Sequence, residues 1–544
     1  KPLGFGSLLS LMAYCAMPIM VLFSGCKTDY QKFKQESDTQ VYDIIDEKWD
    51  SAYGAKVNYQ VEDTAGDPNR LALNSALPPH GIMSLGDAIE IATNSNRSYQ
   101  KEKESLYNSV LNLTTERHAF DLIYNVTGGG NYVSLVENNG ITLETASGDG
   151  KIQFTKLLKD GAQLSFDFST TWLNTLISNS DSSVGASLFA SFRQPLLKGY
   201  GRKIVMENLM QSERDVIYKL RGFAQYRKGF VVTVVAFYYN VLSASDGVEN
   251  AKNNLKQIRF STSRTSMMAD AGRLPTVELD QARQNELTAE NGLNRALKSY
   301  EESLDNFKVF LSYAPDAQFL LDPNELVVLK GVGVMPPELE LDAALVLGLS
   351  NRLDLKTELN RVEDRFRQMG IVEDAFKVSL DLVGSVGIDS GDNDRITLNL
   401  NDKTTYALGL DIDLNLDKLN ERNNYRKALI AKEDQMRVFA QKYSEVTLEI
   451  RTSYRDLVES SKRYEIEKNS LQLAQSRVAS TEMLLLAGRA ITRDLLESQD
   501  ALLTAQNGVT AALIEHTIAK LSFYKNIELL QVKPDGMWEL LNDK

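Results

Sequence analysis

Hydrophobic and polar residues alternate along four stretches of the chain, and this period of two predicts β-strands. The stretches are 163–172, 184–193, 376–382 and 406–417. A strand of a soluble sheet would give the same pattern. Strands of about 10 residues with one uniformly apolar face also suit a barrel wall between lipid and a water-filled lumen. Asp411, Asp413 and Asp417 lie on the polar side of the last stretch and would then face the lumen.

Two other stretches predict unusually long helices. They cover residues 203–270 and 420–487, and at 1.5 Å per residue each helix would be about 100 Å long. In the second stretch apolar residues recur at intervals of seven, which is typical of long helices packed side by side. These residues are Tyr443, Ile450, Leu457, Tyr464, Leu471 and Val478. An ordinary soluble coiled coil would show the same repeat.

A Gly-Arg pair follows each long helix and predicts a turn. A shorter return helix comes next, and Thr276 or Thr492 is placed to cap its beginning. The chain is therefore predicted to contain two helical hairpins, 203–313 and 420–527.

The two hairpins belong to an internal duplication. Ala271-Gly272-Arg273 recurs as Ala487-Gly488-Arg489, and the phrase that begins at Leu85 recurs at Leu341 with a larger offset. The first half therefore carries extra residues early, in its strand region.

With about two strands from each half, the chain would have about four, too few to close a barrel. Because unpaired strand edges are not tolerated in lipid, copies of the chain would have to complete the wall.

The first 25 residues predict a lipoprotein signal peptide. An apolar stretch ends in Leu22-Phe23-Ser24-Gly25-Cys26, and small residues directly before a cysteine are typical of bacterial signals in which that cysteine becomes the lipidated N-terminus. An ordinary secretory signal or a buried apolar helix is the alternative.

The remaining chain divides into four predicted parts. Residues 26–83 are polar and acidic and predict a tether or an extended strap. The ordered body begins at a helix that Ser84 is placed to cap. Two repeats are expected over 84–335 and 336–532, followed by a C-terminal tail, 533–544.

Composition excludes several classes of protein. The chain has 544 residues and a formal net charge of −13, which argues against a nucleic-acid-binding surface. It is 43% hydrophobic and 24% charged, which argues against disorder and against a polytopic helical membrane protein. The three histidines, His80, His118 and His516, fall in unrelated segments without metal-ligand spacing. We therefore expect no metal, no cofactor and no enzymatic activity.

The run from Phe192 to Arg202, with the sequence FRQPLLKGYGR, resembles the phrase at which a strand turns into a long helix in the TolC family of outer-membrane efflux and secretion channels. Pro195 would end the strand, and Gly199 and Gly201 would permit the bend. The predicted turns at Gly272 and Gly488 also resemble the family, and the likeness covers residues 84–532. One departure is the second strand-to-helix swivel, 414–422, which has neither the proline nor the glycine pair.

The resemblance implies a mainly α fold with a transmembrane β part. Three chains would form a 12-stranded β-barrel in the bacterial outer membrane that continues into a long periplasmic α-helical barrel. The assembly would be a lipid-anchored, passive duct of a tripartite efflux or type I secretion system. Its partners would be a periplasmic adaptor protein and an inner-membrane transporter.

The resemblance also assigns roles to residues near the two turns. Asp494 and Glu497 would ring the periplasmic entrance of the pore, with Leu485 as an apolar constriction. The residues expected to contact the adaptor are Gly272, Arg273, Leu274, Gly488, Arg489 and Ala490. Each has a simpler alternative: acids at a helix N-terminus, core packing, and helix C-caps.

Two other functions fit parts of the pattern. A structural lipoprotein could span the periplasm with coiled coils and enclose no conduit, but it would have no use for strands with one lipid-facing side. A passive porin would explain the strands and leave the two helices of about 100 Å unexplained.

Overall fold

The computed structural model describes residues 29–61, 81–136, 142–175, 183–334, 339–390, 403–533 and 537–540. The predicted signal peptide, Cys26 and His80 lie outside these residues. The helices are α1 (Tyr30–Lys48), α2 (Leu85–Ser95), α3 (Arg97–His118), α4 (Arg202–Val205), α5 (Glu207–Asp270), α6 (Thr276–Phe310), α7 (Asn324–Val332), α8 (Leu341–Asn351), α9 (Leu353–Asp374), α10 (Leu419–Leu486) and α11 (Thr492–Asn526). The strands are β1 (Ile82–Met83), β2 (Leu122–Val136), β3 (Thr142–Leu157), β4 (Gln163–Thr175), β5 (Ser183–Pro195), β6 (Leu320–Leu321), β7 (Ser379–Asp389), β8 (Lys403–Asp413), β9 (Leu530–Val532) and β10 (Trp538–Leu540).

The internal duplication is visible in the boundaries of these elements. Helices α2 and α3 recur as α8 and α9, and all four boundaries of the first pair are displaced equally along the chain in the second. The end of α5 and both ends of α6 recur, with a smaller common displacement, as the end of α10 and both ends of α11. The hairpins therefore consist of α5 with α6 and of α10 with α11.

The main sheet has six strands, so the prediction of about four strands is wrong. Its order is β2-β3-β4-β5-β7-β8, and every neighbouring pair is antiparallel. Strands β4, β5, β7 and β8 are the four predicted ones, although β7 begins at Ser379 and β8 ends at Asp413. The hairpin of β2 and β3 is additional. It lies between α3 and β4 and accounts for the difference between the two displacements of the duplication.

Helix α5 lies at the centre of the helical part. It packs against α3, α6, α9 and α11. Among the described residues, α5 is the helix that is long and apolar enough to cross a membrane by length and composition, but half of that apolar stretch is buried inside the chain. Its composition is therefore that of a core helix. Aromatic side chains fill the core beside it, for example Tyr99 with its ring centroid 4.9 Å from that of Phe230.

The heptad repeat of α10 forms a buried seam along part of that helix. Val446, Ile450 and Leu457 are buried, and the serines at the intervening positions, Ser453 and Ser460, are buried as well. Small residues at these positions let α10 and α11 approach closely. The repeat thus corresponds to helix packing within one chain.

The N-terminal segment differs from the predicted extended strap, because residues 30–48 form helix α1. The carboxylate of Asp29 accepts hydrogen bonds from the first backbone N–H groups of this helix. Val41, Ile44 and Ile45 are buried, since α1 packs on α3. The predicted C-terminal tail also has structure, because β10 pairs with β9.

Candidate functional site

The six-stranded sheet has one apolar and one polar face. Residues that are directly opposite in antiparallel strands point to the same face, and successive residues alternate between faces. One row across the sheet is Tyr124, Phe154, Phe166, Ala190, Val386 and Tyr406. The adjacent row, on the other face, is Asn125, Gln153, Asp167, Phe189, Gly387 and Thr405. The sheet is thus suited to separate an apolar medium from an aqueous one.

The polar face carries two charge pairs. Arg193 on β5 donates a hydrogen bond of 2.6 Å to Asp381 on β7, and Asp381 is directly opposite Asp411 on β8. Nearer the other edge, Lys151 lies 3.5 Å from Asp167. These two pairs place fixed charge on the polar face.

Two of the three acids predicted to face a lumen lie on this polar face, and the third does not. Asp411 and Asp413 are in β8, opposite Asp381 and Ser379. Asp417 lies beyond the end of β8, and its Oδ1 accepts the backbone N–H of Leu419 at 3.0 Å. It therefore belongs to the beginning of α10, so its assignment to the strand was wrong.

The first swivel joins β5 to α4 through two glycines in the left-handed region. Gly199 has φ +77° and Gly201 has φ +99°, a conformation that costs an L-residue with a side chain about 1–2 kcal/mol. The N–H of Gly199 donates to Asp374 at the end of α9 (2.7 Å). The N–H of Gly201 donates to the carbonyl of Asp160 in the turn before β4 (3.1 Å). The bend is thereby held between a helix end and a strand turn.

The second swivel makes a comparable bend without glycine. Asn415 has φ +31°, and asparagine is the residue after glycine that best tolerates positive φ. Its N–H donates to Asp413 (3.0 Å), and its side-chain amide donates to Glu421 in the first turn of α10 (2.8 Å). The departure from the family phrase is therefore a substitution of one turn-forming residue type for another.

The two hairpin tips are copies of one another at the level of single hydrogen bonds. After α5, the N–H of Gly272 donates to the carbonyl of Ala269 and that of Arg273 to Met268. After α10, the N–H groups of Gly488 and Arg489 donate to the carbonyls of Leu485 and Leu484. Both sets form the Schellman arrangement, in which a glycine with positive φ ends the helix.

The return helices begin differently from the prediction. Thr276 and Thr492 are the first helical residues rather than the caps, and the residues before them are Pro275 and Ile491. The hydroxyl of Thr492 instead donates to Glu278 of the first hairpin at 2.8 Å. Arg264 of α5 and Glu482 of α10 form a second link, at 3.2 Å. Neither link was predicted, because in each the partner residues lie in different repeats.

The predicted entrance residues have local partners. Asp494 accepts the backbone N–H of Ile491 at 3.2 Å, and Glu497 pairs with Arg493 at 3.0 Å. Both acids are exposed at the beginning of α11, where their charge also favours the helix dipole. Leu485 is only 6% exposed and packs inside the hairpin, so its side chain is unavailable to a constriction; the neighbouring Leu486 is 62% exposed.

Both tips are accessible and partly apolar. Of the predicted adaptor-contact residues, Gly272, Arg273, Gly488 and Arg489 are exposed, and Leu274 and Ala490 are half-buried. Large exposed apolar side chains surround them, a feature that was not predicted from the sequence. They are Met267, Val277, Met483, Leu484, Leu486 and Ile491. A cluster of apolar residues beside each Gly-Arg turn was the signal that could have revealed this surface.

A charged cluster joins the beginning of α9 to α10. Arg352 pairs with Asp354 (2.6 Å) and with Glu449 (2.7 Å), and Lys442 lies 3.0 Å from Asp354. Burial alone would raise the pKa of Asp354, but the hydrogen bonds from Arg352 and Lys442 hold that pKa below its ordinary value. The cluster is thus ionised and structural. Within the described residues, no three or more His, Cys, Asp or Glu side chains are grouped to hold a metal ion.

Comparison with known proteins shows the fold of the chain and a family match over part of it. Residues 345–525 match the family model described as outer membrane efflux protein. Solved structures with a similar fold include the outer-membrane channel OprN, with 13% identity, a TM-score of 0.58, and coverage of 88% of this chain and 99% of that chain. The CmeC outer membrane channel of Campylobacter jejuni has 13% identity, a TM-score of 0.58, and coverage of 90% and 96%. The open-state MtrE outer membrane channel of Neisseria gonorrhoeae has 14% identity, a TM-score of 0.58, and coverage of 83% and 90%.

A comparison with curated proteins found no match. The chain has the fold of outer-membrane channels, and its second repeat carries the outer membrane efflux protein domain. The resemblance to the TolC family is thereby confirmed. The family consists of passive channels rather than enzymes.

Proposed function

We propose that three copies of this chain form a passive duct from the periplasm to the exterior, as the outer-membrane component of a tripartite efflux or type I secretion system. One observation carries the proposal: the two-faced sheet continues, through both swivels, into helices of 64 and 68 residues. At 1.5 Å per residue these helices are about 100 Å long. A sheet with a face suited to lipid is thus joined directly to helices long enough to cross an aqueous compartment.

The sheet requires copies of the chain to close it. Within the described residues, β2 and β8 each have a neighbouring strand on one side only. An open edge exposes backbone N–H and C=O groups, which lipid cannot satisfy. Pairing of one copy's edge with the other edge of a second copy removes every edge when the ring closes, and the family resemblance gives three copies.

The tips are proposed to bind the periplasmic adaptor protein, which would connect the duct to an inner-membrane transporter. The proposed contact residues are Gly272, Arg273, Leu274, Gly488, Arg489 and Ala490. Their exposure at the hairpin ends supports this, since apolar side chains with arginines among them are typical of protein-binding surfaces. Asp494 and Glu497 are proposed to ring the pore entrance, where threefold symmetry would collect their charge. Cys26 is proposed to carry the lipid anchor.

The competing function is a periplasm-spanning structural lipoprotein without a conduit. It accounts for the long helices and is compatible with the proposed lipid anchor. The apolar face that continues across all six strands favours the duct, because a soluble scaffold would leave that face in water.

Reconstitution of the purified full chain into planar lipid bilayers tests the duct. We expect discrete conductance steps, with a preference for cations that falls in the double variant Asp494→Ala with Glu497→Ala. The matched control is Asp434→Ala with Glu465→Ala, which removes two exposed acids of α10 far from the tips and should leave selectivity unchanged. An absence of conductance steps would favour the scaffold. Equal cation selectivity in the unmodified protein and both double variants would contradict the entrance ring but not the duct.

Photo-crosslinking from the tips tests the adaptor contact. A crosslinker at Arg273 or Arg489 should capture a periplasmic protein in the native cell envelope, whereas one at Glu465 should not. Equal capture at all three positions would contradict a specific contact at the tips.

A further inference from the structure

We propose that the hairpin of β2 and β3 is part of the membrane wall, so that three copies build a barrel of 18 strands. This inference rests on the proposed trimeric duct and departs from the 12 strands that the family resemblance implies. The alternative is a hairpin that lies outside the wall, with β4 and β8 as the edges that meet between copies.

The first argument is the continuity of strand pairing. β2 pairs with β3 from Leu122 to Val136, and β3 pairs with β4 from Thr145 to Leu157. The pairing between β3 and β4 is as extensive as that between β4 and β5. A hairpin outside the wall would have to give up these hydrogen bonds, and the backbone groups of β4 would need new partners on β8 of a second copy.

The second argument is that the hairpin keeps the two-faced pattern of the sheet. On the apolar face, Val126 and Ile152 continue the row that includes Phe168 and Leu188. On the polar face, Lys151 of β3 reaches Asp167 of β4. A hairpin folded into water or into the lumen would expose its apolar side to an aqueous medium. In the wall its apolar side faces lipid and its polar side faces the lumen.

Four glycines of the hairpin fit this placement. Gly128 and Gly130 on β2 are directly opposite Gly150 and Gly148 on β3, so all four lie on the apolar face. The Trp172 ring on β4 lies 3.8 Å from where a Cβ would be on Gly148, so an aromatic ring of the wall covers part of this strip. Cross-strand cover of glycine by an aromatic side chain is a known device for fixing sheet register.

The third argument is that the two outer edges suit each other. Among the described residues both are open, because β2 and β8 are the outer strands of the sheet. Their apolar side chains are also uncovered: Tyr124 and Val126 are 73% and 68% exposed, and Tyr406 and Leu408 are 75% and 81% exposed. β2 runs away from the helical part and β8 runs back to it, so β8 of a second copy would lie antiparallel to β2. Every pair within the sheet has that orientation.

The proposal has a consequence for the size of the pore. Barrel diameter grows roughly in proportion to strand number. A wall of 18 strands would therefore be about one and a half times as wide as a wall of 12. Cargo too large for the narrower barrel could then pass the membrane section.

Disulfide crosslinking between copies tests which strand forms the edge. Asn125→Cys on β2 and Ser165→Cys on β4 are each combined with cysteine at Thr405, Ala407 or Gly409 on β8; all five positions are on the polar face. The natural cysteines precede the sheet in the chain, and mass spectrometry of the linked peptides separates them from the introduced ones. Ser169→Cys with Ser187→Cys, whose hydroxyls are 2.6 Å apart within one chain, is the positive control.

We expect Asn125→Cys to give linked trimers and Ser165→Cys to give none. Linked trimers from Ser165→Cys would overturn the inference, because β4 would then be the edge. Absence of both crosslinks in a protein with the native mass of a trimer would also overturn it and leave the proposed function intact. A monomeric mass would overturn the proposed function itself.

A deletion of residues 119–158 provides a second measurement. It makes the connection between α3 and β4 as short as that between α9 and β7, so the repeats become equivalent. We expect the variant to remain a trimer and its exterior side to exclude smaller polyethylene glycols than the full chain does in bilayer recordings. An unchanged exclusion limit in a trimeric variant would contradict a wall of 18 strands.

Discussion

The hydroxyl of Thr492 donates a hydrogen bond of 2.8 Å to the carboxylate of Glu278 and thereby joins the two hairpin tips of one chain. Thr492 is buried, and the same carboxylate lies near the backbone N–H with which α11 begins. An acid from the first repeat thus stabilises the helix N-terminus of the second. The tips are coupled by a contact that neither repeat could make alone.

Replacing Thr492 by Val should loosen the second tip. Loss of a buried hydrogen bond costs about 1–2 kcal/mol, so hydrogen exchange of the amides over residues 492–498 should accelerate about tenfold. Hydrogen-exchange mass spectrometry measures this. Thr276→Val is the matched control, since Thr276 holds the equivalent position in the first repeat and is exposed. Equal protection in Thr492→Val and the unmodified protein would show that the hydrogen bond is unimportant.

Replacing Gly488 by Ala should destabilise the end of α10. Gly488 has φ +69°, and a Cβ in this conformation costs about 1–2 kcal/mol. Gly292 lies within α6, with no atom within 4 Å of where its Cβ would be, so Gly292→Ala should instead stabilise by about 0.5–1 kcal/mol. Denaturant titration in detergent compares the two. Effects of the same sign would contradict the conformational argument.

Replacing Asp354 by Asn should be strongly destabilising. The change leaves the guanidinium of Arg352, whose side chain is only 9% exposed, with one carboxylate partner instead of two. Breaking a buried pair in this way costs about 3 kcal/mol. Asp434→Asn disrupts an exposed pair with Arg437 and should cost less than about 0.5 kcal/mol. Urea unfolding midpoints of the two variants, measured in the same detergent, test this. Equal losses of stability would show that burial does not strengthen the Asp354 pair.

His516 should make the helical part less stable in mild acid. Its side chain is buried beside Ser460, and burial, helped by the charge of Lys520, lowers its pKa below the ordinary value. The unfolded chain therefore binds the proton first, so stability is full above about pH 6.5 and declines as the pH falls towards the lowered pKa.

Melting temperatures at pH 7.5 and pH 5.5 test this dependence. In His516→Gln the difference between the two temperatures should be smaller than in the unmodified protein. His118→Gln is the control, because His118 is exposed, and it should leave the difference unchanged. If the melting temperature of His516→Gln still depends on pH as strongly as that of the unmodified protein, other titratable groups cause the dependence.

Features with a local sequence signal were predictable. Two glycines at equivalent positions of the repeats predict helix ends, and Gly272 and Gly488 make the same pair of capping hydrogen bonds. The alternation in residues 406–417 predicts a strand with acids on one face, and Asp411 and Asp413 lie there. These signals are carried by residues close together in the chain, where backbone preference decides the structure.

Three features were not predictable from the sequence pattern. Gly128, Gly129 and Gly130 carry no side chains, so the alternation that marks a strand disappears from the middle of β2. Alternation continues through Leu416 although the positive φ of Asn415 has already ended the ladder. The carboxylate of Glu278 and the hydroxyl of Thr492 meet only because two hairpins pack together. Only the last of these is set by tertiary structure; in the first two, hydrophobic alternation does not mark where the strand runs or ends.

The unequal insertion of β2 and β3 gives the two ends of the molecule different breadths. Each chain contributes six strands to the sheet but only four helices to the two helical hairpins. The turn between β3 and β4 does not continue into a rod; it rests against the first swivel, where the N–H of Gly201 meets the carbonyl of Asp160. The added hairpin therefore enlarges the sheet by two strands and adds no helix to the helical hairpins.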